Sequence, residues 1–246
     1  MFIYLINARK LIKGLLVIIL AASIFISGFS IASAIKENNL IISTSAKQER
    51  VIIIDAGHGG EDSGAVGING VYEKDLNLEI ALLIGEELKN RGYTVVYTRT
   101  EDKMLYSPEE NIRGMRKISD LKNRCKIASE YDDAILVSVH MNAFGSSKYS
   151  GLQVYYADKD VNSRLLAEKI QTKVANEIQT SNTRQVKNGK SLFILDNSEA
   201  TSVIIECGFL SNADECEKLS QKEYQKQLSF SIVCGIIEYI DEIEPD

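Results

Sequence analysis

The sequence predicts an α/β fold: one twisted, largely parallel sheet covered by helices on both faces, in a single domain. From Arg50 onward, short apolar runs alternate with longer stretches of helical period. The short runs are apolar almost throughout, which is how strands buried on both faces read. The chain has 246 residues, of which 45% are hydrophobic and 25% charged, enough for one ordinary core and unlike a disordered chain.

Residues 51–55 (VIIID) form a β-branched run that stops at glycine-rich sequence, a buried strand. Residues 76–91 place Leu76, Ile80, Leu83, Ile84 and Leu88 at helical spacing, with Asp75 as N-cap and Gly92 as stop. Residues 93–98 (YTVVYT) give a second strand and 119–131 a helix. Strands follow at 134–139 (AILVSV) and 152–156 (LQVYY). The helix at 161–179 carries Leu165, Leu166, Ile170, Val174 and Ile178 on one face. Residues 203–206 (VIIE) make a late buried strand. Ser220 and Glu223 form a capping box that opens a last helix through Leu228, Ile232, Ile236 and Ile240.

Residues 1–34 read as an export segment. Arg9, Lys10 and Lys13 precede an apolar run that closes in Ala32-Ser33-Ala34. This is the pattern of a secretory signal peptide, and the run is also long enough to serve as a membrane anchor if retained. Residues 35–48 are polar and weakly patterned, a linker to a domain at 49–246. The chain has 28 Lys+Arg against 34 Asp+Glu, so no basic excess points to a nucleic acid partner. Loss of residues 1–34 removes three bases and no acid, which disfavours electrostatic binding to anionic membranes; membrane contact is expected only through an uncleaved N-terminal segment. Cys125, Cys207, Cys216 and Cys234 include no C-x-x-C pair, and Cys207 and Cys234 read as small core residues rather than halves of a bridge.

Ligands of parallel sheets bind outside the carboxyl ends of the strands. The first strand runs into Asp55-Ala56-Gly57-His58-Gly59-Gly60, the third stops at His140, with Asn142 beyond it, and the late strand stops at Glu206. The chain has two histidines, so both emerge at one sheet edge beside a carboxylate. Two imidazoles and a carboxylate suit a catalytic Zn²⁺, which takes three protein ligands and keeps a position for water. The loop after His58 contains Gly59, Gly60, Gly64, Gly67 and Gly70 and can fold back to bring Glu73 beside His58. The other carboxylate then serves as general base and acid, and spacing alone leaves open which of Glu73 and Glu206 binds metal. The same loop lacks the Gly-Lys-Ser/Thr ending of a phosphate-binding P-loop and does not fit G-x-G-x-x-G. Cys207 directly follows Glu206, so it should point to the opposite sheet face, against a Cys–His dyad. Each feature also has a plainer reading: a histidine at a strand end is often a hydrogen-bonded surface residue, and Glu73 suits a helix start.

The stretches IDAGHGGEDSGAVGINGVYEKDLNL, TRTED, SVHMNA and IIECGFLSN, in that order, resemble the zinc-dependent N-acetylmuramoyl-L-alanine amidases of the type-3 family. The resemblance spans nearly all of residues 50–240. It implies that His58, Glu73 and His140 hold Zn²⁺ and that Glu206 is the catalytic carboxylate. The substrate implied is peptidoglycan, cut at the amide between the lactyl group of N-acetylmuramic acid and the first L-alanine of the stem peptide. Asn142 would contact substrate or orient the site. Arg99 and Arg124 match arginines of the family, with a structural ion-pair role at least as well supported as substrate binding. Thr201 stands where the family commonly has proline, and residues 103–120 make a longer connection than usual. With a single domain behind an export signal, the sequence is most similar to the germination-specific cortex amidases of sporulating bacteria. That implies action on spore cortex outside the cytoplasm, muramic-δ-lactam formation with a partner deacetylase and, as in clostridial relatives, a lipoprotein activator. A zinc peptidase acting on stem-peptide bonds and an inactive peptidoglycan-binding module are the alternatives.

Overall fold

The computed structural model describes residues 50–244. The expected export segment, 1–34, and linker, 35–48, lie outside the described residues. Six strands form one sheet: β1 (Ile52–Ala56), β2 (Val95–Tyr97), β3 (Ile135–Asn142), β4 (Gln153–Tyr156), β5 (Lys187–Asn188) and β6 (Thr201–Phe209). Their order is β2-β1-β3-β6-β4-β5. All adjacent pairs are parallel except β4 with β6, which is antiparallel. The sheet is therefore largely parallel, as the continuous apolar runs require.

The helices are α1 (Glu73–Asn90), α2 (Arg116–Ser129), α3 (Val161–Glu177), α4 (Phe193–Asn197), α5 (Ala213–Leu219) and α6 (Lys222–Ile243). One face of the sheet buries Ile52, Ile54, Val137, Val203 and Ile205 against apolar residues of α1, α3 and α6. The other buries Ile53, Leu136 and Ile204 against Cys125, Ala128, Ile194 and Leu195 of α2 and α4. Consecutive strand residues thus enter different cores, the two-residue alternation of a pleated strand. Among the described residues no helix is long and apolar enough to cross a membrane.

Several local expectations shift. The predicted N-cap Asp75 lies inside α1, which starts at Glu73 after an extended Tyr72 with no side-chain cap. Carbonyls of the preceding loop take over: Glu73 N–H donates to Ala65 O at 2.9 Å and Lys74 N–H to Ser63 O at 3.2 Å. Ser220 does not cap α6. Its Oγ donates to the Cys216 carbonyl at 2.8 Å, closing α5, and α6 begins after Gln221 without a side-chain cap. Helix α2 starts three residues before the expected Ser119, which shortens the long connection; Asp120 Oδ1 and Ser119 Oγ accept from the backbone N–H of Leu105 and Ser107 and tie that connection to the helix. Strand β5 and the short helices α4 and α5 carry too few residues for periodicity to register. The four cysteines are free; Cys207 is in the core, whereas Cys234 is only partly buried, short of the expected core position.

Candidate active site at the carboxyl ends of β1, β3 and β6

From β1 the chain crosses to β2 on one side and then returns to β3 on the other. This reversal opens a crevice beyond the carboxyl ends of β1 and β3. His58 follows β1 and His140 lies near the end of β3, so the two rings meet there edge to face, with centroids 5.0 Å apart.

Glu73 joins them from the first turn of α1. Its Oε1 lies 3.1 Å from His58 Nε2 and 3.0 Å from His140 Nδ1. Ligand atoms of His58, Glu73 and His140 all lie within 4.8 Å of one another, the one such His/Cys/Asp/Glu group among the described residues. Tetrahedral Zn²⁺ with bonds near 2.0–2.1 Å separates its ligand atoms by roughly 3.3 Å, so the donor set and spacing fit that ion. Backbone donors also fix the glutamate: Ala65 N–H donates to the other oxygen, Oε2, at 2.8 Å, and Met141 N–H to Oε1 at 3.2 Å. Burial disfavours its charge, but the two histidines outweigh burial and hold its carboxyl well below the usual carboxylate range. The loop between His58 and Glu73 folds back, as its glycines allow.

Two glycines make room for the cluster. A Cβ on Gly57 would run into the His140 ring, and one on Gly64 would lie 2.5 Å from Glu73 Oε2 and 2.8 Å from His58 Cδ2. His58 itself has φ 61°, a left-handed conformation uncommon outside glycine. Strain of this kind persists where the surroundings over-determine it, and here they do. Arg124, 1% exposed, donates to the carbonyls of Ala56 at 2.6 Å and His58 at 2.7 Å. Arg99 donates to those of Ala56 at 2.8 Å and Gly57 at 2.9 Å. Arg124 also pairs with Asp55 at 2.6 Å and Asp120 at 2.7 Å. Both arginines therefore clamp the turn that carries His58 through its carbonyls, and Arg124 is itself held by ion pairs with Asp55 and Asp120.

Asp62, which sequence reasoning passed over, puts Oδ2 2.9 Å from His58 Nδ1, a charge contact on the side of the ring away from Glu73. Burial opposes a charge on His58, but the carboxylates of Asp62 and Glu73 outweigh it and raise its pKa to about 9. Positive charge is favoured at this cluster. The available signal was a carboxylate one short loop from a histidine, but only the loop's conformation brings them together.

Glu206 is the register partner of His140 in the parallel β3–β6 pair, so both side chains leave the same face of the sheet. It is outside the three-residue cluster. Its Oε2 is buried without a hydrogen-bond partner among the described residues. Burial, together with the charge of Glu73, pushes its pKa up to about 6, against the pull of His140 and His58. Its neighbour Cys207 is buried in the opposite core. Asn142, the last residue of β3, lies past an irregularity in the β3–β6 register; its carbonyl accepts from Leu210 N–H at 2.8 Å and the residue is partly exposed.

The family profile of N-acetylmuramoyl-L-alanine amidase matches residues 52–238, which includes every residue of this site. The chain belongs to the N-acetylmuramoyl-L-alanine amidase family. The amidase is 34% identical over 193 residues to the germination-specific N-acetylmuramoyl-L-alanine amidase of Bacillus subtilis, covering 78% of this chain and 81% of that one. Among solved structures it resembles the CwlD amidase of Clostridioides difficile, solved in complex with the GerS lipoprotein, with 38% identity and a TM-score of 0.75 over 79% of this chain and 100% of that one. The catalytic domain of CwlV, an N-acetylmuramoyl-L-alanine amidase from Bacillus (Paenibacillus) polymyxa, is 34% identical with a TM-score of 0.67, covering 78% and 98%. The amidase is thus an enzyme, with the fold of this family.

Proposed function

We propose that this amidase is a zinc hydrolase of spore cortex peptidoglycan, with His58, Glu73 and His140 as metal ligands and Glu206 as general base and acid. The observation that carries the reading is the arrangement of three ligand atoms within 4.8 Å, faced by a carboxylate with an unpartnered buried oxygen. The bond cut is the amide between the lactyl group of N-acetylmuramic acid and the L-alanine of the stem peptide. Zn²⁺, when bound, supplies Lewis acidity and lowers the pKa of coordinated water. Glu206, with a pKa near 6, accepts the proton of the attacking water and delivers it to the departing L-alanine nitrogen. Asp62 and the backbone N–H groups of Ala65 and Met141 keep His58 and Glu73 aimed. Asn142 takes part in substrate contact at the end of β3.

The spore cortex assignment is supported by likeness to the germination-specific enzyme of Bacillus subtilis and to the CwlD amidase. Action outside the cytoplasm follows from the substrate and from the signal-like or anchor-like residues 1–34. By analogy with the CwlD complex we extend the proposal to a lipoprotein partner, and from the muramic-δ-lactam chemistry to a deacetylase acting on the same glycan.

Metal analysis and product mass spectrometry on the purified protein test the reading. One zinc per chain and products with free N-terminal L-alanine and intact muramic acid are expected; released D-alanine or cut cross-links would replace it with a peptidase. Glu206→Ala should lower kcat by roughly 10²–10⁴-fold while zinc content stays unchanged, whereas His58→Ala or His140→Ala should lose the metal. Hydrolysis retained by Glu206→Ala, or zinc retained by the histidine variants, would refute the role assigned.

A further inference from the structure

Arg184, between α3 and β5, is held by neutral groups and aromatic rings. Its Nε donates to the Ser150 carbonyl at 2.7 Å and its Nη1 to Gln153 Oε1 at 3.2 Å. The guanidinium stands 4.6 Å from the centroid of the Phe209 ring and 5.9 Å from that of Tyr149. It forms no ion pair with a carboxylate among the described residues. Glu215 lines the same cavity, about 600 Å³, but its two carboxylate oxygens accept from the backbone N–H groups of Gly151 and Phe209 at 2.7 and 2.8 Å. A guanidinium has five N–H donors in a planar fork suited to two-pronged binding of a carboxylate. Two of the five are in use, and the Phe209 and Tyr149 rings beside the guanidinium remove part of its water.

The position matters as much as the chemistry. Gln153 is the register partner of Glu206 in the antiparallel β4–β6 pair, and its side chain leaves the same face. Gln153 is buried, with Nε2 donating to the Gln185 carbonyl at 2.7 Å, so it presents Oε1 to Arg184 in a fixed position. Arg184 is therefore one strand spacing, roughly 4.8 Å, plus a side-chain length from the proposed catalytic carboxylate. An extended peptide advances roughly 3.3 Å per residue, so a group one or two residues beyond the scissile amide reaches it.

We propose that Arg184, oriented by Gln153, Phe209 and Tyr149, binds a carboxylate of the stem peptide just beyond the L-alanine released by cleavage. The inference rests on Glu206 being the catalytic carboxylate. Stem peptides of peptidoglycan are acidic: a glutamyl residue follows the first L-alanine, and its α-carboxyl is free in some walls and amidated in others. Arg184 would make the enzyme selective between the two.

The test uses two muropeptides that differ only in a carboxylate or a carboxamide on that second residue, and reads the ratio of kcat/KM within each enzyme, which cancels differences in folded protein. Wild type should favour the carboxylate by about 10-fold or more, the size of one charge-assisted hydrogen bond. Arg184→Gln should bring the ratio to about 1, with the larger loss on the carboxylate substrate and in KM; Arg184→Lys should fall between. Equal losses on both substrates, or an unchanged ratio, would overturn the assignment and leave Arg184 a structural residue. Failure of wild type to cut either muropeptide, with the proposed lipoprotein partner present, would defeat the catalytic reading itself and the inference with it.

Discussion

His58 has a carboxylate on each side: Glu73 at Nε2 and Asp62 at Nδ1. Partners on the far nitrogen of a metal-binding imidazole fix its ring and raise its basicity, and their loss commonly costs 10–100-fold in metal affinity. Asp62→Asn keeps the shape and removes the charge. We expect zinc affinity to fall by roughly that 10–100-fold in a competition titration against a chelator, with the fold intact by circular dichroism. Unchanged affinity would mean that Asp62 serves only the loop, where Lys117 also reaches it at 3.2 Å. The roles of Arg99 and Arg124 are likewise a matter of single contacts. Each directs donors at backbone carbonyls beneath the site, and Arg124 also at the carboxylates of Asp55 and Asp120.

The turn after β1 works as a unit. Gly57 keeps its backbone out of the His140 ring, and His58, Gly59 and Gly60 take left-handed conformations in succession. Gly57 itself does not need a left-handed φ, so alanine there is penalised through contact with His140 alone. Gly57→Ala should therefore displace the imidazole while the sheet survives. A misplacement near 1 Å costs about 10²-fold in rate, and we expect kcat/KM to fall by about that factor with a much smaller proportional change in Tm. Parallel losses of activity and Tm would place the effect in folding instead. The helices show how local signals compete: Ser220 reads as a cap for α6 but closes α5, because the same hydroxyl is within reach of the Cys216 carbonyl.

Through the whole molecule, the feature that ties fold to site is the buried network around Asp55. Its carboxylate pairs with Arg124 and accepts from Thr98 Oγ1 at 2.6 Å and Ser138 Oγ at 2.5 Å. Burial works against the charge, but Arg124 and the two hydroxyls outweigh it and lower the pKa to about 2. A carboxyl whose folded pKa is depressed stabilises the fold fully above its unfolded value and loses that contribution as pH falls through the folded value. The window here is pH 4 to 2, and the amount is about 2 kcal/mol. Urea unfolding at stepped pH should show wild type losing about 2 kcal/mol more across that window than Asp55→Asn. At neutral pH the variant should itself be less stable, since Arg124 loses a buried partner. Identical pH slopes for the two proteins would show that Asp55 is not the titrating group.

Much of this was legible in the order of residues. Apolar runs of four to six residues and stripes at helical spacing depend on neighbours along the chain, and they identified the long helices and the buried strands. The strand ends followed, and with them His58, His140 and Glu206 at one edge. Contacts between distant residues were not legible in this way. Spacing along the chain left open which of Glu73 and Glu206 meets the histidines, and only the family resemblance pointed to Glu73; the cluster exists because the loop from His58 to Tyr72, left-handed at His58, Gly59, Gly60, Gly64 and Gly70, folds back and because β1 and β3 are adjacent. The antiparallel β4, the approach of Asp62 to His58 and the seat of Arg184 beside Gln153 depend on register and loop geometry in the same way. Periodicity records which face a residue presents, whereas the residue it meets there is set by how the strands and loops pack.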